Sequence, residues 1–414
     1  MKHTLTFLFR PVKFSSWILL LGWLIASQFV RAEDWPRFRG PDGTGISRES
    51  HWHFSSQSPV LWEARIGLGY SMPVVAGGKV VVSGHTGAES DSLFCFDEAT
   101  GKENWKFTYA QPLGDHYFPG GTTGSASMAG DRVYSLAREG ELFCLDTNSG
   151  KVIWQVHLQK DFQYTKPTWG FTGAPLVQDD RLYITAGDSG LALNKSNGQV
   201  IWKSKNEEAG YSTPYSFSRG GKELLIFSNK RAYVCVEAAS GKELWREKWM
   251  TRYGVNAADP IVSGDYIFIS SGYGKGATLL KWDGNGDPKT VWKNRDMKTQ
   301  MNACVLLNGF LYGIDGGEHG DAQGLKCMEF LTGKTMWLDQ TVGFGAVSAA
   351  NGKLLVISET GELQMGPASP SGWKPEVKRR VLGPKAWTVP VLADGKIFCR
   401  NSIGHLVVFN VKSQ

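Results

Sequence analysis

The chain has 414 residues, with 50 glycines, 16 tryptophans and only 20% charged residues. Its formal net charge of +6 is concentrated at the start: Lys2, Arg10, Lys13 and Arg31 precede the first acid, Glu33, and the rest holds 41 basic against 39 acidic residues. A body this close to neutral excludes electrostatic attraction to nucleic acid, and its glycine- and tryptophan-rich composition favours short strands and tight turns over long amphipathic helices.

Residues 1–32 read as a secretory signal peptide. A basic start leads into an apolar run over residues 15–30, and the small residues Val30 and Ala32 suit cleavage after Ala32. An uncleaved N-terminal anchor is the competing reading, but the run is short for a membrane span. No cysteine follows the run directly, which argues against a lipid anchor. The mature chain is therefore expected in the periplasm or outside the cell, with no membrane span after cleavage.

From residue 60 onward two signals recur. The first is an acid or amide, a glycine four residues later and a tryptophan four after that: Asp97/Gly101/Trp105, Asp146/Gly150/Trp154, Asn194/Gly198/Trp202, Glu237/Gly241/Trp245 and Glu329/Gly333/Trp337, with a looser copy ending at Trp292. Successive tryptophans from Trp105 to Trp337 are spaced 49, 48, 43, 47 and 45 residues apart. The second signal is an apolar hairpin with a tight polar turn. Eight copies occur, from PVVAGGKVVVSG at residues 73–84 to VPVLADGKIFCR at residues 389–400. Each repeat reads as an A–B hairpin, a strand C, a glycine-bearing turn and a strand D with its tryptophan. Four short antiparallel strands at this period make a propeller blade. The acid accepts backbone N–H groups across the turn, the glycine supplies a positive φ, and the tryptophan docks against the neighbouring blade.

The predicted fold is all-β: an eight-bladed β-propeller of four-stranded antiparallel blades, spanning residues 60–414, with residues 33–59 as a segment packing on it. The last repeat has strands A, B and C but no D. The stretch around Trp62, 43 residues before Trp105, has the form of a D strand with no blade before it. The N-terminal strand is thus expected to complete the C-terminal blade and close the ring. The seventh repeat is degenerate, and Trp373 is its nearest candidate for the D-strand tryptophan. Cys95, Cys144, Cys235 and Cys327 each stand two residues before the acid of strand C. Equivalent positions on neighbouring sheets do not face one another at disulfide distance, so these are expected to be buried free thiols.

The repeats resemble the pyrroloquinoline-quinone (PQQ)-like propeller repeat of quinoprotein dehydrogenases and of their non-catalytic relatives, among them outer-membrane assembly factors. The stretch EDWPRFRGPDGTGIS at residues 33–47 resembles the WPxFRGPxGxG opening of exported bacterial proteins with such repeats. The resemblance covers roughly residues 33–410 and implies the fold more specifically than an activity, because the repeat encodes blade packing. The alcohol dehydrogenases of this type hold their quinone under two adjacent cysteines. This chain has no adjacent cysteines, no C-x-x-C-H haem attachment, and no motif by which the family's calcium-holding Glu, Asn and Asp can be placed.

Ligands of propellers gather on the face formed by the D–A and B–C loops. The cofactor- or ligand-binding candidates there are His116, Trp169, Tyr211, Arg252 and Asn256, with Tyr70, Tyr253 and Asp315 nearby in sequence terms. Such a set suits a planar quinone or a sugar, with Arg252 gripping a carboxylate. No catalytic residue is assigned. Asp259 before Pro260 resembles a base, but a strand-start cap is the competing role. The acidic clusters at Asp283/Asn285/Asp287 and at Asp315/Glu318/His319/Asp321 read as turns, and no metal site is assigned. The expected function is a non-catalytic module that binds a protein, peptide or carbohydrate. The alternative is a PQQ- and calcium-dependent dehydrogenase with divergent cofactor contacts.

Overall fold

The structure is a computed structural model, and it describes Met1 and residues 33–87, 89–115, 118–316 and 322–413. The expected signal peptide, His116 and the Glu318/His319/Asp321 cluster lie outside the described residues. No helix among the described residues is long and apolar enough to cross a membrane.

Eight antiparallel sheets follow one another along the chain. Blade 1 has strands A to D at Val74–Ala76, Lys79–Gly87, Ser90–Asp97 and Glu103–Ala110. Blades 2 to 7 repeat the pattern over residues 127–157, 176–203, 215–248, 261–294, 305–339 and 345–380. Blade 8 has Val391–Ala393, Lys396–Arg400 and His405–Asn410 as A, B and C, and its D strand is Val60–Arg65, from the other end of the chain. Trp62 stands opposite Val408 and Arg65 opposite His405, so the ring is closed as the repeat count requires.

Strands B and C have both faces packed against neighbouring blades. They are therefore continuous apolar runs, not alternating ones: Leu93, Phe94, Cys95 and Phe96 are all buried. The D strands form the outer rim and carry exposed side chains such as Val152 and Ile153. All six cysteines are buried and free. Cys95, Cys144, Cys235 and Cys327 each stand directly opposite the tryptophan of their own blade, where a small apolar side chain leaves room for the indole.

The glycine and the tryptophan of the repeat turn out to serve one junction. Trp62, Trp105, Trp154, Trp202, Trp292 and Trp337 each donate the indole N–H to a carbonyl of the following blade at 2.8–3.0 Å. Each of the first three rings, and those of Trp202 and Trp292, lies flat over the motif glycine of that next blade. A Cβ on Gly101, Gly150, Gly198, Gly241 or Gly333 would sit 2.5–2.8 Å from the indole. Gly150, at φ 68°, thus meets two demands at once: a left-handed turn and a flat seat for Trp105. The blade 5 turn breaks the pattern. There Trp245 meets Trp282 edge-on at 5.9 Å, and its indole nitrogen has no hydrogen-bond partner.

Blade 7 departs from the sequence expectation. Its D strand is Val377–Arg380, and Trp373 precedes it, donating to Gln364 of its own blade at 2.8 Å. The link to blade 8 is made by Arg379, which donates to the Ser58 carbonyl and lies 4.8 Å from the centre of the Phe409 ring. Trp373 is not a D-strand tryptophan, because the long C–D connection places it before the strand.

The segment 33–49 runs along the inner edges of the blades. Trp35 is fully buried and exchanges backbone bonds with Val75 of blade 1 at 2.7 and 2.9 Å. The Pro36 carbonyl accepts from Met128 of blade 2, and Gly45 accepts from Ala349 of blade 7. Ile46–Ser47 adds a fifth, parallel strand beside strand A of blade 7. The Glu49 carboxylate accepts from Gly395 in the A–B turn of blade 8. Arg39, buried, reaches blade 6: its guanidinium donates to Gly43, Thr44 and Cys304 carbonyls at 3.1, 2.7 and 2.7 Å. One short segment thereby ties together the inner strands of blades 1, 2, 6, 7 and 8.

Candidate functional site

Because each blade begins and ends on the same face, all eight D–A connections converge around the axis. They enclose a cavity of about 620 Å³, within the size range of sites that bury small molecules. Phe38, from the axial segment, lines it together with the loops. The segment also contacts A–B turns at Gly77 and Gly395, on the opposite face. The cavity is a funnel on the D–A face, with Phe38 of the axial segment in its lining.

The loops are fastened to one another around the ring. Tyr70 N–H donates to Thr122 O at 2.6 Å, and Met72 N–H to the Ser125 hydroxyl at 2.8 Å. Tyr211 N–H donates to Asn256 O, and Thr213 N–H to the Asp259 carboxylate at 2.8 Å. Asn302 donates to Trp387 O, and the Thr388 hydroxyl to Tyr70 O. Side chains on the funnel are thus held by loops whose backbone groups are already paired, a rigid arrangement for recognition.

Two aromatic walls result. On one side Phe118, Tyr70, Trp387 and Phe344 follow in sequence: Tyr70 stacks on Trp387 at 5.6 Å, with Phe118 6.0 Å from Tyr70 and Phe344 5.3 Å from Trp387. On the other, Trp169 meets Tyr211 edge-on at 5.8 Å. Between them stand amides and hydroxyls, among them Gln300, Asn302 and Thr172, and two carboxylates, Asp259 and Glu359. Glu359 accepts the Trp387 indole N–H at 3.1 Å. Asp259 is buried, and desolvation pushes its pKa up to about 6 against the opposing pull of Arg39, the Thr213 N–H and Arg37. No lysine or arginine is among the described lining residues.

Trp169 and Tyr211 therefore both reach the funnel. Arg252 does not; it lies on an adjoining groove with Tyr273, Lys275, Lys293 and Arg295. Asn256 is fully buried, its amide donating to Asn229 O and Trp249 O and accepting from the Ser271 hydroxyl, so its contacts are spent within the fold. Asp315 is held by Lys326 in a buried ion pair, and Asp283 accepts the Asn285 N–H, a turn-forming bond. Among the described residues no three His, Cys, Asp or Glu side chains come together as a metal site. Phe38, Phe118, Tyr273, Phe344 and Trp387 are the lining aromatic residues that sequence reasoning did not single out. Phe344 and Trp387 shared a legible signal, standing just before an A strand as Tyr211 does.

The described lining of the funnel offers PQQ aromatic faces but no cation of the protein's own. That cofactor is a rigid, planar tricarboxylate with charge at both ends. Here its carboxylates would meet Asp259 and Glu359 with no lysine or arginine in the described lining, so a calcium ion would have to stand between the two sets of carboxylates.

A sequence model of the family described as outer membrane protein assembly factor BamB matches residues 89–339. No curated protein matches the chain in sequence. Among solved structures, BamB from Moraxella catarrhalis superposes with a TM-score of 0.65 at 11% identity, over 85% of this chain and 99% of its own. A europium-containing methanol dehydrogenase gives 0.68 at 12% identity, over 92% and 98%. The quinohemoprotein alcohol dehydrogenase from Comamonas testosteroni gives 0.65 at 14% identity, over 92% and 80%. At these identities the likeness is one of fold.

Proposed function

Because the chain belongs to the PQQ-type propeller family described as outer membrane protein assembly factor BamB, we propose that it is a non-catalytic binding module whose ligand enters the funnel of the D–A face. The observation that carries this reading is the funnel's lining: two walls of contacting aromatic rings on interlocked loops, one stacked at Tyr70 and Trp387 and one edge-on at Trp169 and Tyr211, with carboxylates and amides between them. Such a surface gains affinity from flat contact and hydroxyl recognition. The basic start and apolar run of residues 1–32 support export to the periplasm or beyond, with the propeller as the mature protein.

The test is a titration with PQQ and calcium, in which the dehydrogenase reading and this one part company. Neither a rise in melting temperature nor a quinone absorption band is expected at saturating cofactor. A cofactor bound at 100 times its dissociation constant would add about 2.7 kcal/mol. A shift of that order, together with dye reduction in the presence of alcohols, would establish the dehydrogenase instead.

A further inference from the structure

The groove that holds Arg252 has a volume of about 450 Å³ and opens beside the funnel, with Tyr273 lining both. Its described lining has four cations, Arg252, Lys275, Lys293 and Arg295, and no carboxylate. Aromatic faces hold three of them. The Lys275 and Lys293 ammonium groups lie 4.6 and 5.0 Å from the centre of the Trp249 ring, and the Arg252 guanidinium lies 5.3 Å from that of Tyr253. Burial, Lys293 and Arg295 all pull the Lys275 pKa down, with Glu247 opposing. Like charges gathered in a concave surface repel one another until an anion enters, and there each adds attraction.

The funnel has the opposite character. Its carboxylates accept hydroxyl donors and repel anions, and its aromatic walls suit the apolar faces of flat rings. We propose that funnel and groove form one two-part site for an acidic saccharide: a sugar ring lies against the aromatic walls, and its sulfate, phosphate or carboxylate group sits among Arg252, Lys275, Lys293 and Arg295. The inference rests on the binding function proposed above and names its ligand class. A saccharide offers hydroxyls to Asp259 and Glu359 and carries its charge on a substituent. An acidic peptide carries a carboxylate on each acidic residue and would press some of them against those two side chains.

Purified chain is applied to a printed array of neutral, sulfated, phosphorylated and uronate-bearing glycans, with oligoglutamate on the same surface, at low and high salt. Binding is expected on the acid-bearing glycans, about tenfold above their neutral counterparts at low salt and less at high salt. The three anionic groups compared separate the possible charged substituents. Lys275→Gln/Lys293→Gln is expected to remove the advantage of the acid group, and Arg252→Gln/Arg295→Gln to do the same should the first pair not fold. Trp387→Ala is expected to weaken all glycans. Equal binding of neutral and acidic glycans, lost in Trp387→Ala, would overturn the acidic-ligand assignment and leave the funnel reading standing. Preference for oligoglutamate, or no glycan binding, would overturn the saccharide class. Acid-bearing glycans held undiminished by Trp387→Ala would reduce the effect to surface charge and overturn the two-part site.

Discussion

Arg39→Ala is expected to destabilise the protein by about 3–5 kcal/mol, because it removes a fully buried cation on which several partners converge. The Gly43, Thr44 and Cys304 carbonyls lose their donor, and Asp259 loses its strongest compensating charge. The effect has a definite pH dependence. The folded pKa of Asp259, about 6, lies above that of a free aspartate, about 3.9. The folded state therefore holds its proton more tightly, and stability from this group falls as pH rises through that interval. Without Arg39 the folded pKa moves higher still. The variant should lose least at pH 5, where Asp259 is mostly protonated, and most above pH 7. Denaturant midpoints of both proteins across that range measure it; a loss independent of pH would separate Arg39 from Asp259.

Arg400→Leu is expected to cost a similar amount, about 3–5 kcal/mol, at a different place. Arg400 lies in strand B of blade 8 and is fully buried. Its guanidinium donates to Ser71 O and Oγ at 3.0 and 2.8 Å, Ser83 O at 2.8 Å and Gly69 O at 2.7 Å. Burial works against the charge, and these oxygens hold it. They belong to blade 1 and to the chain leading into it, so the bonds close the junction where the two ends of the propeller meet. Leucine fills part of the volume and leaves the oxygens without donors in a site closed to water. Arg400→Lys, with three donors on a flexible stem, should recover only part of the loss. Equal stability of Arg400→Leu and the natural chain would show that the junction is held by the strand pairing of Val60–Arg65 alone.

Much of the ring was legible because its determinants repeat. The acid–glycine–tryptophan spacing marks strand C, its turn and strand D, and the unpaired stretch at Trp62 marks closure. The second reason for the motif glycine was not legible, since the indole above Gly150 is Trp105, one repeat earlier in the chain. Blade 7 hid its D strand because Arg379 and Phe409 replace the usual indole contact. The site was legible in part. Trp169 and Tyr211 stand in long or aromatic loops and reach the funnel, whereas Asn256 has the same kind of position and is consumed by backbone partners. The path of residues 33–49 could not be read, because the groups that receive Arg39 are backbone carbonyls and carry no side-chain signal. With that path hidden, Phe38 could not be assigned to the funnel.

The funnel's lining depends on the axial segment holding Phe38 in place, and amide hydrogen exchange on the ligand-free protein reports this directly. The amides of Trp35 and Gly45, bonded to Val75 O and Arg39 O, and that of Ala349, bonded to Gly45 O, should exchange as slowly as those of the inner strands of blades 1 and 8. Exchange of the Trp35 and Gly45 amides at the rate of exposed loops, with the inner strands still protected, would mean that the segment does not hold Phe38 in the funnel and would contradict the account.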